Sequence, residues 1–409
     1  MAKTVVMKFG GTSVGSTERI NAVARRVASH VRRSGERVVV VVSAMAGETD
    51  RLIELFRKVG GDKSRRREYD QLLASGEQVS AALTAAAIER EGLSSCSLLA
   101  HQIPIRTKIT REHALIDTID TKELRHLLDS GAVPVVAGFQ GVLHDGSFVT
   151  LGRGGSDATA VAVAAALGPV PCIIYTDVDG VYTTSPSICR NARKLKFLSY
   201  EEMLEMASSG AKVLQTRSVH LAKKFHVPLS VCSSFVDEVG TEIVGAYDGM
   251  EDVVVSGITC ATDQAKINLR GVPDKPGVLS RIFQVVGDCG VVVDMIVQTK
   301  GPRGEAVVSF TVAEDGAQKA YESLQALVSE EMPGVHLDLE RNVAKLSVIG
   351  EGMRAHAGIA SKMFEILGRE GINIDMVTTS EIKISVAIKQ KYAELAVRSL
   401  HEQFIDREL

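Results

Sequence analysis

The architecture this sequence predicts is an α/β fold with a mostly parallel central sheet, followed by a split βαβ unit present twice. Three observations carry that reading. Valine- and isoleucine-rich runs in the first 250 residues are continuous rather than alternating, as in a sheet covered on both faces. Helical patterns lie between those runs, which favours parallel strands between helical layers. Residues 277–296 recur, 81 positions further on, as residues 358–377.

The first strands are predicted at Thr4–Phe9, Arg37–Ser43, Val133–Phe139 and Cys172–Thr176. Ile20, Val23, Ala24, Val27 and Val31 follow helical spacing, with Ser16 or Thr17 as N-cap and Glu18 in the first turn. In the repeat, Gly277, Ser280, Phe283, Gly287, Gly290, Asp294 and Met295 meet Gly358, Ser361, Phe364, Gly368, Gly371, Asp375 and Met376: 7 identities in 20 positions. A strand precedes each copy, Lys266–Gly271 and Lys345–Gly350, and each then reads strand, helix, strand, strand, helix. The first copy has a last strand at Val335–Leu339. The second ends in a helix, about Lys391–Phe404, and lacks one. The spare strand Val253–Ala261 is expected to complete it and interlock the two copies. The expected domains are residues 1–245, 262–342 and 343–409, the last completed by residues 250–261.

Composition removes other classes. A chain of 409 residues is too long for one core of usual size. Lys plus Arg is 47 against 50 Asp plus Glu, and 11 Phe, 7 Tyr and no Trp provide no stacking platform, so no nucleic-acid partner is expected. Hydrophobic residues at 45% and charged residues at 24% suit a soluble globular protein. The longest low-polarity stretch, Ala158–Gly168, is 11 residues, short of the ~20 that span a bilayer. The opening MAKTVVMKFGG lacks the pattern of a secretory leader. Six cysteines without CxxC spacing and ten histidines without HExxH suggest no metal site; most cysteines are expected to be buried free thiols in a reducing cytosol. Residues 1–250 carry 30 basic and 27 acidic side chains, residues 251–409 carry 17 and 23, so an anionic substrate suits the first part.

Chemistry-bearing motifs sit where strands meet helices. Lys8-Phe9-Gly10-Gly11-Thr12-Ser13 ends a strand; paired glycines let a phosphate approach the backbone, and an ordinary Gly-rich turn explains the pattern equally well. Leu151-Gly152-Arg153-Gly154-Gly155-Ser156-Asp157 repeats the arrangement, with Ser156 or Asp157 as N-cap of an alanine-rich helix. Capping needs neither Arg153 nor two adjacent glycines. Two such junctions, each with a cation, suggest an anionic site between them. Ser43-Ala44-Met45-Ala46-Gly47-Glu48-Thr49-Asp50 follows a strand, where open α/β sheets place ligands, or is simply a loop and cap. Glu77 reads as a first-turn acid, Asp179-Gly180 as a turn, and Lys212 as a solvated charge.

Together KFGGTSVG (8–15), SAMAGETD (43–50), GRGGSD (152–157), TDVDGVYT (176–183) and the repeat resemble the bacterial aspartate kinases of the amino-acid kinase family, from residue 3 to about 405. The resemblance implies a three-layer α/β sandwich followed by two ferredoxin-like (βαββαβ) ACT domains. It implies phosphorylation of the β-carboxylate of L-aspartate by ATP with Mg2+, the metal held mainly by the nucleotide phosphates. That step begins lysine, threonine, methionine and diaminopimelate biosynthesis in the cytoplasm. Lys8, Asp157 and Lys212 would be catalytic. Lys8, Phe9, Gly10, Gly11, Thr176, Asp177, Tyr182 and Lys212 would bind ATP. Ser43, Thr49, Glu77, Arg153, Gly154 and Ser156 would bind aspartate.

The ACT repeat implies inhibition by lysine and/or threonine at Asp274, Gly277, Val278, Asp294, Gln298, Asn373, Ile374, Asp375, Thr379, Ser380 and Glu381, in a homo-oligomer formed through ACT domains. Some members also make a separate regulatory subunit from an internal start, and Met250 lies where one would fall. The chain departs from the family at Thr183-Thr184-Ser185-Pro186-Ser187, where TADPR is common after the Tyr, and at Val292-Val293-Asp294, where NID is common. The alternatives are another amino-acid kinase, such as glutamate or acetylglutamate kinase, and a non-catalytic amino-acid-binding regulator.

Overall fold

The computed structural model describes residues 3–62, 66–110, 114–211, 213–245, 253–301 and 304–407. Their contacts divide them into two compact units. One comprises residues up to Val181, Lys194–Leu204 and from Lys212 to Tyr247. The other comprises Tyr182–Arg193, Glu205–Ala211 and the chain from Asp248 on.

The first unit is built on an eight-stranded sheet. Its spatial order is Phe197–Ser199, Thr241–Val244, Leu229–Ser233, Cys172–Thr176, Thr4–Phe9, Arg37–Val42, Val133–Ala137 and Ser95–Leu98. Every pairing is parallel except Leu229–Ser233 against Thr241–Val244. The central strands are buried almost throughout, which is why they read as unbroken valine runs. Val5, Met7 and Phe9 share a core with Ile20, Val23, Ala24 and Val27 of helix Thr17–Ser34 and with Ala81, Ala85 and Ile88 of helix Arg66–Arg90. The alternation of a strand turns Val6 and Lys8 to the other face, where helix Gly155–Ala166 packs. That helix is buried on nearly all sides, so it shows no amphipathic stripe.

Ser16 is the N-cap of the first helix, its hydroxyl accepting from the Arg19 amide. The strand expected over Val133–Phe139 stops at Ala137. Gly138 is squeezed between Ser156 and the Val42 carbonyl, and Phe139 takes a positive φ of 64°, outside the extended region. A second sheet, in the order Ala114–Ile119, Ile105–Ile109, Gln140–Val142 and Phe148–Thr150, was not foreseen. Its strands are short, and Arg106 and Lys108 face solvent, so they carry little hydrophobic signal.

The second unit holds one six-stranded antiparallel sheet in place of two separate ones: Val293–Lys300, Glu305–Ala313, Gly257–Pro273, His336–Ile349, Lys383–Lys389 and Met376–Thr379. Two strands are long enough to serve both copies of the repeat. Gly257–Ala261 pairs with Lys345–Ile349, and Gln264–Arg270 with His336–Val343. The expected strands Val335–Leu339 and Lys345–Gly350 are therefore one strand, which continues through Asn342 at φ +58°. Helices Val278–Asp288 and Glu314–Glu331 cover one half of the sheet, Ile359–Arg369 and Ala393–His401 the other. All six cysteines are free, but only Cys172 and Cys189 are fully buried, and Cys96 is exposed.

Candidate active site

Lys8 is 8% exposed at the end of the central strand, and its Nζ lies 2.5 Å from Asp157 Oδ1. Asp157 occupies the first turn of helix Gly155–Ala166. The cap of that helix is not Ser156 or Asp157 but Gly154, at φ +67°, where a Cβ would run into the Gln215 side chain at 2.3 Å. Glycine at the cap leaves the Asp157 carboxylate to Lys8.

Glu77 is not a first-turn acid. It lies in the middle of the 25-residue helix Arg66–Arg90, 3% exposed. Oε1 accepts the Ala44 amide at 2.9 Å, and the buried Oε2 has no partner among the described residues. Burial pushes its carboxyl pKa up to about 7. Arg153 is exposed and has no ion-pair partner among the described residues.

The first glycine loop is laced to the SAMAGETD segment. The Ser43 amide donates to the Phe9 carbonyl at 3.1 Å and the Ala46 amide to the Gly11 carbonyl at 3.1 Å. A Cβ on Gly11 would meet the Ala44 carbonyl at 2.9 Å, so only glycine allows the approach. Thr49 lies in the first turn of helix Glu48–Lys58. The result is a cleft of about 870 Å³, wholly within the first unit. It brings together Lys8, Gly11, Ser43, Thr49, Glu77, Arg153, Gly154, Ser156 and Asp157. Sequence reasoning missed Tyr69, Phe139 and Gln215, which also line it. The positive φ of Phe139 leaves no mark in sequence.

The residues assigned to ATP are placed differently. The Phe9 ring is fully buried and stacked on Tyr175 at 4.7 Å, so it does not line the cleft. The Gly10 amide is already donated to the Tyr175 carbonyl. Among the described residues the Gly11 and Thr12 amides have no acceptor, so the free pair is one residue later than expected. Thr176 ends the strand beside Phe9, its hydroxyl donating to exposed Asp177 at 3.0 Å. Ser234, another residue not foreseen, ties the two loops. Its amide donates to the Thr176 carbonyl, and its hydroxyl meets that of Ser13 at 2.5 Å. Tyr182 belongs to the second unit, and Lys212 lies outside the described residues.

In the second unit Asp274 pairs with Lys300 at 2.9 Å, and Gly277 caps the helix that begins at Val278. Gln298 is on the edge strand Val293–Lys300, where Asp294 pairs with Lys345. Asn373 donates to Asp375, Ile374 is half-buried between them, and Thr379 ends a strand. The Ser380 amide donates to the Lys383 carbonyl, and exposed Glu381 pairs with Arg354. The described residues contain no cluster of acidic, His or Cys side chains fit to hold a metal, and no helix long and apolar enough to cross a membrane.

A mostly parallel α/β sheet with a lysine–aspartate pair beside loop amides that have no acceptor among the described residues is an anion-handling arrangement. Residues 3–233 match the amino acid kinase family, and residues 267–329 and 346–404 each match an ACT domain. An aspartate kinase of Pseudomonas putida is 48% identical over 401 residues, 98% of this chain and 97% of that one. An aspartokinase of Helicobacter pylori is 47% identical over 401 residues, 97% and 98% of the two chains. Escherichia coli aspartokinase III, solved with aspartate and ADP, superposes with a TM-score of 0.80 at 25% identity, over 98% of this chain and 99% of that one. The chain belongs to the amino acid kinase family and, within it, to the aspartate kinases.

Proposed function

We propose that this chain transfers the γ-phosphoryl group of MgATP to the β-carboxylate of L-aspartate, giving 4-phospho-L-aspartate and ADP. One observation carries the reading: a single cleft holds an arginine and a buried carboxylate oxygen, neither with a partner among the described residues, and a buried lysine–aspartate pair. Arg153 suits the α-carboxylate as a bidentate donor. Glu77 Oε2 suits the α-ammonium, and Ser43, Thr49, Gly154 and Ser156 complete the pocket. The β-carboxylate then points at Lys8.

A carboxylate of reference pKa ~4 is ionised at neutral pH, so no general base is required. One of its oxygens attacks the γ-phosphorus as the bond to the ADP oxygen breaks. The task is to overcome repulsion between anions, which is positioning and charge stabilisation. Lys8, with Lys212, neutralises the transferring group, and the Gly11 and Thr12 amides donate to it. Asp157 orients Lys8. Thr176 and Asp177 hold the nucleotide, and the metal would be held mainly by its phosphates.

The ACT units are read as sensors of lysine and/or threonine in a cytoplasmic homo-oligomer. An internal start at Met250 falls outside the described residues. The SAMAGETD segment and the paired ACT domains favour an aspartate kinase over a glutamate or acetylglutamate kinase. The test is ADP release with ATP and a panel of L-aspartate, L-glutamate and N-acetyl-L-glutamate. Turnover with aspartate is expected. Preference for either glutamate compound, or none at all, would sink the assignment.

A further inference from the structure

We propose that Asp70 is a positioning residue for amino-acid binding: its buried carboxylate ties the helix that carries Glu77 to the strand that leads into Arg153, and so sets the gap between the two. The proposal rests on the reading of Glu77 and Arg153 as the groups that grip the substrate's α-ammonium and α-carboxylate.

Every residue involved lies in the first unit. Asp70 is 3% exposed, near the start of helix Arg66–Arg90. A carboxylate that dry needs partners for its oxygens. Oδ1 accepts the Thr150 hydroxyl at 2.7 Å, and Oδ2 accepts Arg66 Nε at 3.3 Å. Glu77 follows seven residues later, about two turns, so it lies on the same face of the helix. Asp70, Leu73, Ala74 and Glu77 are all buried along that face. Thr150 ends strand Phe148–Thr150, three residues before Arg153. Thr150 lines the cleft, whereas Asp70 lines a separate hollow of about 180 Å³. Asp70 therefore acts on the site through its neighbours.

The register of the small sheet explains how one bond can set the gap. Gln140 and Thr150 stand directly opposite each other in adjacent strands. Their side chains reach the same helix one turn apart, Thr150 at the Asp70 carboxylate and Gln140 Nε2 at the Ala74 carbonyl, 3.3 Å away. Hydrogen bonds are directional, so the helix cannot slide or roll against the hairpin without breaking one. Apolar contact is non-directional and would not fix that register. The loop beyond Thr150 has little hold of its own. Gly152 and Gly154 take positive φ values of 77° and 67°, and Arg153 between them is exposed. Leu151 is anchored by Arg217 at 2.6 Å, a contact that does not involve the Glu77 helix. Asp70 is the link between the two grips.

The experiment measures steady-state constants for Thr150→Val and Asp70→Ala in the full chain. Each removes one side of the bond, and Thr150→Val keeps the side-chain shape. We expect KM for aspartate to rise about tenfold in both, the scale of one hydrogen bond to a charged group, with KM for ATP and kcat within about twofold. The double variant should be no worse than the weaker single variant. Thr150→Ser and Asp70→Asn each keep a partner for the bond and should bring KM back to within about threefold of wild type. A KM for aspartate unmoved by Asp70→Ala would overturn the proposal. So would effects of the two substitutions that multiply, because Thr150 would then meet the substrate directly. Equal rises in both KM values with a lowered Tm would overturn it too, marking a purely structural role. If Asp70→Ala does not fold, Asp70→Leu fills the same space without an acceptor and carries the same expectations. Wild-type protein that neither binds nor turns over L-aspartate would remove the clamp itself, whereas wild-type turnover with an unmoved KM in the variants removes Asp70 alone.

Discussion

Two lysine–aspartate pairs, one in each unit, are built from the same chemistry and differ in their access to water. Lys8 and Asp157 are both about one-tenth exposed. Lys345 is drier still, while its partner Asp294 is 40% exposed. Removing one member of a dry pair leaves an uncompensated buried charge, typically costing about 3–5 kcal/mol. The first pair can therefore exchange its partner only for another strong anion, as a transferring phosphoryl group is. In the second, water can solvate the Asp294 carboxylate, but opening the pair would strand the Lys345 ammonium, which is 3% exposed. The cost of breaking either pair falls mainly on its buried lysine, and only the first pair lines a cleft where a substrate anion can replace the carboxylate.

The largest effect should come from breaking the Lys8–Asp157 pair. Lys8→Ala is expected to lower kcat by about 10²–10³-fold, the scale of a lost preorganised donor. Steady-state rates with saturating ATP and aspartate check this, and a loss under tenfold would remove Lys8 from the reaction. Lys345→Ala, which touches no residue lining the cleft, should lower stability more than kcat, which is the comparison in its sharpest form.

Next in size is Arg153→Ala. It should raise KM for aspartate by about 10- to 100-fold, a charge-assisted bidentate contact being worth about 1.5–3 kcal/mol, and leave KM for ATP nearly unchanged. Equal shifts in both constants would count against its role at the α-carboxylate.

The smallest effect is a pH dependence. Burial raises the Glu77 carboxyl to about 7, so it is protonated below neutrality and charged above. Only the charged form pairs with an ammonium. KM for aspartate should therefore rise as pH falls through about 7, by several-fold per unit. Glu77→Gln should have a high KM with that slope abolished. A slope that persists in the variant would assign the titration elsewhere.

Much of this was legible in the sequence because it depends on local pattern. Strands buried on both faces read as valine runs, and Ser16 read as a cap because it is one. Loop glycines marked the cleft because Gly11 and Gly154 sit where a Cβ would collide. What could not be read depends on distant partners. Glu77 looked like a helix-start acid because nothing nearby reveals that its helix begins at Arg66 or that Ala44 donates to it. Gly10 looked available as a donor, yet Tyr175, far along the chain, already takes its amide. The small second sheet was missed because its half-exposed strands carry too few apolar residues to show a period.

The central claim is that the β-carboxylate of aspartate receives the phosphoryl group. Its most direct test is to trap the acyl phosphate with hydroxylamine in the presence of ATP and L-aspartate and identify the hydroxamate by mass spectrometry and NMR. The account predicts β-aspartyl hydroxamate, dependent on ATP and absent with Lys8→Ala. An α-hydroxamate, or a product formed only when glutamate replaces aspartate, would contradict it.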